Sequence, residues 1–207
     1  PSRDAPKPDA DESKGLSVLP GTYKVFAIYG TYKDSTTINV LADPRLDIAI
    51  DGLKRKDEIF KSWEKTATTL YNANERLRTI EKTLQLAENQ LTNVPDSTKK
   101  DIVALAKQIR DSIDALQMTL LGPKETKGLV HGIEYLNTKL GNARWFIESC
   151  EAAPTPNALI PLQIANKEVS VFVNRVNYLI EQLLPKYQAK VEAIPASIFK
   201  PMSKIKM

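Results

Sequence analysis

Apolar side chains recur in steps of three and four through most of this chain, the spacing that gathers them on one face of an α-helix. The first stripe is Phe60, Trp63, Ala67, Leu70, Leu77, Ile80, Leu84, Ala87 and Leu91, with one polar interruption at Asn74. It predicts a helix over 60–91, about 48 Å long at about 1.5 Å per residue, starting upstream near residues 46–53 with Gly52 as a weak point. Asn93-Val94-Pro95 stops it, and Asp96 or Ser97 is placed to cap a second helix. That helix carries Ile102, Leu105, Ile109, Ile113, Leu116 and Leu120, and Gly122-Pro123 ends it. A third stripe runs Leu129, Ile133, Leu136, Leu140, Ala143 and Ile147. Thr155-Pro156 reads as an N-cap and first-turn proline for a fourth: Leu159, Leu162, Ala165, Val169, Phe172, Val176, Leu179 and Leu183. Pro185 should kink or end that helix, and Pro195 and Pro201 keep the tail from forming another.

Ahead of the helices the pattern changes. Residues 22–28 (Thr-Tyr-Lys-Val-Phe-Ala-Ile) and 36–41 (Thr-Thr-Ile-Asn-Val-Leu) are β-branched and aromatic, and the Gly-containing stretch 29–35 joins them, so a β-hairpin is expected. Two strands alone are marginal in water, so this hairpin should lie on the helices or belong to a larger sheet. Asp43-Pro44 closes the strand region. The whole predicts a mainly α protein, an up-down antiparallel four-helix bundle preceded by a β-hairpin. Residues 1–19 read as flexible linker, 20–43 as the hairpin, 44–194 as the helical bundle and 195–207 as a tail.

A chain of 207 residues with 42% hydrophobic and 26% charged residues can bury its own core. Its net charge of +4 comes from 29 basic and 25 acidic residues that are interspersed, which argues against nucleic acid as a partner. No window approaches the roughly 18 uninterrupted apolar residues of a membrane span. The first residues lack a signal-peptide core, and a start at Pro1 reads as a piece of a longer protein.

Candidate chemistry is sparse. The single cysteine, Cys150, admits neither an internal disulfide nor a multi-thiolate metal site, and is expected to be a small buried group near a helix end. The single histidine, His131, has Gly128 three positions before it, so no Glu-x-x-His metal pair can form. His131 and Cys150 lie about five turns apart along the third predicted helix, too far for a nucleophile and its base. Isolated glycines make no phosphate loop. No catalytic residue, cofactor or metal ligand is therefore assigned. The candidate interaction surface is Trp145, which falls between the stripe positions Ala143 and Ile147, together with Tyr29 and Tyr32 in the hairpin connection.

Several segments are distinctive taken together. Pro20-Gly21-Thr22-Tyr23-Lys24-Val25 and Val40-Leu41-Ala42-Asp43-Pro44-Arg45 resemble the last strands and exit of the Ig-like segment of secreted bacterial sortilin-like, BNR-repeat β-propeller proteins, often named glycosyl hydrolases. Residues 120–122, 136–143, 153–155, 176–177 and 184–185 resemble the helical C-terminal region of the same group. The resemblance implies an accessory module of a secreted, periplasmic or cell-surface protein, whose propeller would lie upstream. Its partners would be the parent's upstream domains, and another protein or a second copy is a further candidate. It carries over no catalytic residue and makes Asp43, Pro44 and Arg45 a structural turn from strand to helix, with Arg45 placed to pair with a carboxylate or carbonyl. Because an Ig-like sandwich needs about seven strands, a lone hairpin would leave an edge to be paired.

Three functions follow in order of fit. The first is a non-catalytic structural or protein-interaction module, the second part of a glycoside hydrolase, which would need two facing carboxylates. The third is an oligomerising helical module, for which the fourth helix is the candidate because Val171, Val173 and Ile180 add to its main stripe.

Overall fold

The computed structural model describes residues 18–45, 49–123 and 134–194. His131, Leu129, Ile133, the tail 195–207 and all of the predicted linker except residues 18–19 lie outside this set. The chain divides into two compact units, one running through Asp57 and including Glu151–Ala153, the other comprising Glu58–Cys150 and the chain from Pro154.

The first unit holds strands β1 (Gly21–Tyr29) and β2 (Tyr32–Val40), paired antiparallel from Gly21 opposite Val40 to Tyr29 opposite Tyr32. The connection is Gly30-Thr31 alone, not the seven-residue loop expected from composition. Gly30 has φ +57° and no other residue of the turn has a positive φ. Glycine at the first central position is what a two-residue turn of this hand demands, because its twist matches that of the flanking strands. The remainder of the unit is the exit turn, the first residues of helix α1 (Ile50–Gln90) and the segment Glu151–Ala153. A Cβ on Gly52 would sit 3.3 Å from Ala152 Cβ, so this helical glycine leaves room for that segment. The weak point read from the sequence is a contact point.

The second unit is helical. After α1 a 3₁₀ turn (Leu91–Asn93) leads to α2 (Asp96–Leu121), then come α3 (Leu136–Glu148), α4 (Ile160–Tyr178) and α5 (Leu184–Glu192). The predicted caps of α2 are not used: Pro95 occupies the N-cap, and Asp96 sits in the first turn and pairs with Lys99 at 2.9 Å. Glu134 and Tyr135 are non-helical, so α3 begins seven positions after Leu129, where the sequence stripe had started it. Thr155 does act at the next start, its Oγ1 accepting the Ala158 N–H at 3.4 Å ahead of a 3₁₀ turn, Asn157–Leu159.

The stripes form the core. Leu77, Leu84, Ile109, Ala143, Ile147 and Ala165 are fully buried, and among the described residues no polar or charged side chain is. Asn74, the interruption in the first stripe, accepts a hydrogen bond from Gln117 Nε2 at 2.8 Å, while neighbouring Ala73 takes the buried place.

The order of contacts along α1 fixes the direction of its neighbours. Arg110 of α2 meets Glu88, and Gln117 meets Asn74. Further along the chain, Leu140 of α3 accepts the Trp63 indole N–H, and Ala143 and Ile147 pack with Phe60. Contacts thus descend α1 steadily from 88 to 60 as the chain advances through both helices. The four-helix up-down arrangement expected from the stripes would have α3 turn back along α2. Instead α3 continues α2's direction, and the two helices share one column antiparallel to α1. Leu162 of α4 packs with Phe60 and Asn166 bonds Thr66, whereas Lys190 of α5 reaches Asp101 near the start of α2, so this column runs parallel to α1.

The break between α2 and α3 has a local cause. Gly122, at φ +83°, caps α2, and a Cβ there would lie 2.4 Å from the Tyr135 ring. Only glycine combines that backbone with that approach. Pro185 neither ends the last column nor leaves it regular. A π-helical turn, Leu179–Leu183, precedes it and joins α4 to α5. Proline cannot donate to the carbonyl four residues back and its ring crowds that carbonyl, and a widened turn relieves both. Leu179, Leu183 and Tyr187 stay buried across the irregularity.

Candidate interaction surface

The hairpin's side chains alternate between two faces. Tyr23, Val25, Ala27 and Tyr29 share one with Tyr32, Asp34, Thr36 and Ile38, and Thr22, Lys24, Phe26 and Ile28 share the other with Lys33, Ser35, Thr37 and Asn39. Both are exposed. Val25 and Ile38 on the first face are each 45% accessible, and Phe26 and Ile28 on the second are 50% and 69%. Tyr29 and Tyr32 face each other across the turn at 86% and 78% accessibility, which makes them strand ends, not loop residues. Polar contacts organise the second face: Thr22 Oγ1 donates to Asn39 Oδ1 at 2.7 Å, and the ammonium groups of Lys33 and Lys24 lie 4.6 and 5.3 Å from the Phe26 ring centre. The strand start is tied down by Tyr23, whose hydroxyl donates to the Leu19 carbonyl at 2.7 Å.

Beyond β2, Asp43, Pro44 and Arg45 form an exposed turn. Asp43 Oδ1 accepts both the backbone N–H and Nε–H of Arg45 at 3.0 Å, and Oδ2 accepts Nη2–H at 2.7 Å. These bonds to the Arg45 side chain and backbone hold the Asp43 carboxyl below its ordinary pKa and raise that of Arg45. The pair Arg45 was expected to make is therefore with its own turn.

Trp145 belongs to the helical unit, where it is 62% exposed on α3 and meets Phe146 edge-on with ring centres 5.0 Å apart. Trp63, by contrast, is committed to the core through its bond to Leu140, with the Arg144 guanidinium 5.4 Å from its ring. Cys150 is half-buried, not buried as expected, because it follows the last turn of α3, where its thiol donates to the Phe146 carbonyl at 3.3 Å.

A second surface was only partly legible in the stripes. Ile160, Ile164, Val171 and Tyr178 stand 46–57% exposed along α4 at spacings of four and seven, and a groove of about 370 Å³ lies where Ile164, Val171 and Phe172 meet Leu116 and Thr119 of α2. Val171 had been singled out in the sequence, but its companions Val173 and Ile180 pack half-buried against the core.

The charged groups at helix contacts are paired with one another. Glu88 binds Arg110 through two bonds of 2.5 and 2.6 Å, and Glu168 accepts from Lys139 at 2.5 Å. Tyr187 stands apart, 2% accessible with a hydroxyl that has no partner among the described residues; burial, then the Glu88 charge, raises its pKa. Among the described residues no group of acidic, histidine or cysteine side chains could hold a metal ion, and no helix is long and apolar enough to cross a membrane. Comparison with protein-family models, with curated proteins and with solved structures gave no match. The resemblance to the sortilin-like β-propeller group rests on the quoted segments alone.

Proposed function

We propose that the chain is a non-catalytic structural and protein-interaction module of a larger secreted or cell-surface β-propeller protein, with the helical columns as support and the hairpin as docking element. The observation that carries this reading is a pairing of opposites. Among the described residues the helical unit encloses its apolar stripes with no polar group buried but the Tyr187 hydroxyl, while the hairpin exposes aromatic and branched side chains on both faces. Two-stranded hairpins are marginal alone, and exposed apolar surface on an ordered element is the mark of an interface. The propeller context and the location outside the cytoplasm come from the resemblance of 20–25, 40–45 and the helical segments. The reading assigns no catalytic residue, and makes Asp43, Pro44 and Arg45 a strand-to-helix joint.

Amide exchange on the chain with and without the preceding residues of its parent tests this. The expected result is added protection confined to 21–40. Equal exchange of the hairpin in both, or added protection in the helices alone, would overturn the reading.

A second reading, an oligomerising helical module, is favoured by the exposed row Ile160, Ile164, Val171 and Tyr178, whose spacing suits a helix from another chain. Val171→Lys would then abolish association that Phe26→Ala, on the hairpin, leaves intact.

A further inference from the structure

The two free edges of the hairpin are not equivalent. Tyr29 and Tyr32 close a two-residue turn as a hydrogen-bonded pair, and bonded and non-bonded pairs alternate from there. The backbone groups of Thr22, Lys24, Phe26 and Ile28 on β1, and of Lys33, Ser35, Thr37 and Asn39 on β2, therefore point outward. On β2 the central outward donor is already occupied: the Ser35 N–H donates to Asp34 Oδ1 at 2.7 Å. Lys33 and Asp34 add charge beside it, a usual way of blunting an edge. On β1 nothing comparable occurs, for it has nine residues, no proline, no acid and one lysine.

We propose that this open edge pairs with the same edge of a second copy of the chain, β1 against β1 antiparallel, about a two-fold axis through Val25. The proposal rests on the hairpin being the docking element and names its occupant. Only the Val25-centred register pairs all nine residues, and it sets each outward-facing Lys24 across from Phe26 of the other copy, with Thr22 across from Ile28. Lys24 already lies over its own Phe26 ring, so the contact repeats a pairing the sequence favours. A register shifted by one pair toward Gly21 would instead bring Lys24 against Lys24. The product is a four-stranded sheet, which removes the weakness of a two-stranded ribbon and closes with the symmetry usual for dimers.

In a Cys150→Ser background, Val25→Cys places two thiols across the axis in a non-hydrogen-bonded pair, while Thr36→Cys places them on the far strand. Under mild oxidation the first variant should yield a disulfide-linked species of twice the 23.1 kDa chain mass, and the second should form no disulfide-linked species. Val25→Lys and Val25→Glu should each lose the dimer in light scattering, and an equimolar mixture should restore it, a pattern that general unfolding of the hairpin cannot produce. Linkage through Thr36→Cys, or a monomeric Val25→Cys chain at millimolar concentration, would overturn the proposal. If the hairpin nevertheless gains exchange protection from the preceding residues of the parent, the docking reading stands and only its occupant is wrong.

Discussion

Leu77 and Phe26 are both large apolar side chains in regular secondary structure, yet Leu77 is fully buried and Phe26 is half exposed. Full burial of such a side chain contributes about 1.5–3 kcal/mol, so the helical unit draws stability from its buried leucines, isoleucines, valines and phenylalanines while the hairpin draws almost none. What the hairpin has is a turn that fits its twist, cross-strand contacts such as Thr22 with Asn39, and two lysines over an aromatic ring. Such contacts select a conformation more than they hold it. The same apolar chemistry thus does two jobs: on the helices it closes a core, and on the hairpin it waits for a partner.

Substitutions should separate the two. Leu77→Ala is expected to destabilise the chain by about 2–5 kcal/mol in urea, read from helical circular dichroism. Phe26→Ala should move the same midpoint by no more than about 0.5 kcal/mol; a comparable loss would mean that the hairpin shares the helical core. Gly122→Ala comes next, at about 1–3 kcal/mol for a strained positive φ, and Tyr135 must also yield. A null result there would deny that the break between α2 and α3 depends on that approach.

Tyr187→Phe removes a buried hydroxyl that has no partner among the described residues and should be neutral or stabilising by up to about 1 kcal/mol. Its folded pKa is raised, so the stability tied to the neutral phenol is present below the ordinary value near 10 and is lost as pH rises through the folded value. Wild type should therefore weaken above about pH 10 more steeply than the variant does. Glu88→Gln should also cost little: the bridge to Arg110 is bidentate, but both side chains are over a third exposed, so about 0.2–1 kcal/mol is expected in a thermal melt, falling with added salt.

The stripes were legible because burial on a helix leaves a period, and nearly every described residue read as inward is buried or half-buried. Direction was not, since a stripe says which face is covered and nothing about which way the neighbour runs. Ile113 and Ala143 carry the same signal whether α3 doubles back or continues in α2's column. Gly122-Pro123 marked the end of a helix without marking that the next one would carry on in line. The hairpin's two strands were visible in their β-branched and aromatic residues. Its loop was misjudged because Tyr32, Lys33, Asp34 and Ser35 look polar in composition, although Gly30 in the first central position was the available cue. The exposure of Trp145 was readable from its place off the stripe, whereas the exposed α4 row of Ile160, Ile164 and Tyr178 was hidden by lying beside a stronger stripe.

The most direct test of the contrast between the two units is residue-resolved amide exchange on the intact chain across a dilution series. Amides of α1 through α5 in the core should keep the same protection at every concentration, while the outward amides of Thr22, Lys24, Phe26 and Ile28 should be protected only where a partner hairpin is present. Hairpin protection that matches the helices at every dilution would contradict the account, because hairpin and helices would then unfold as one.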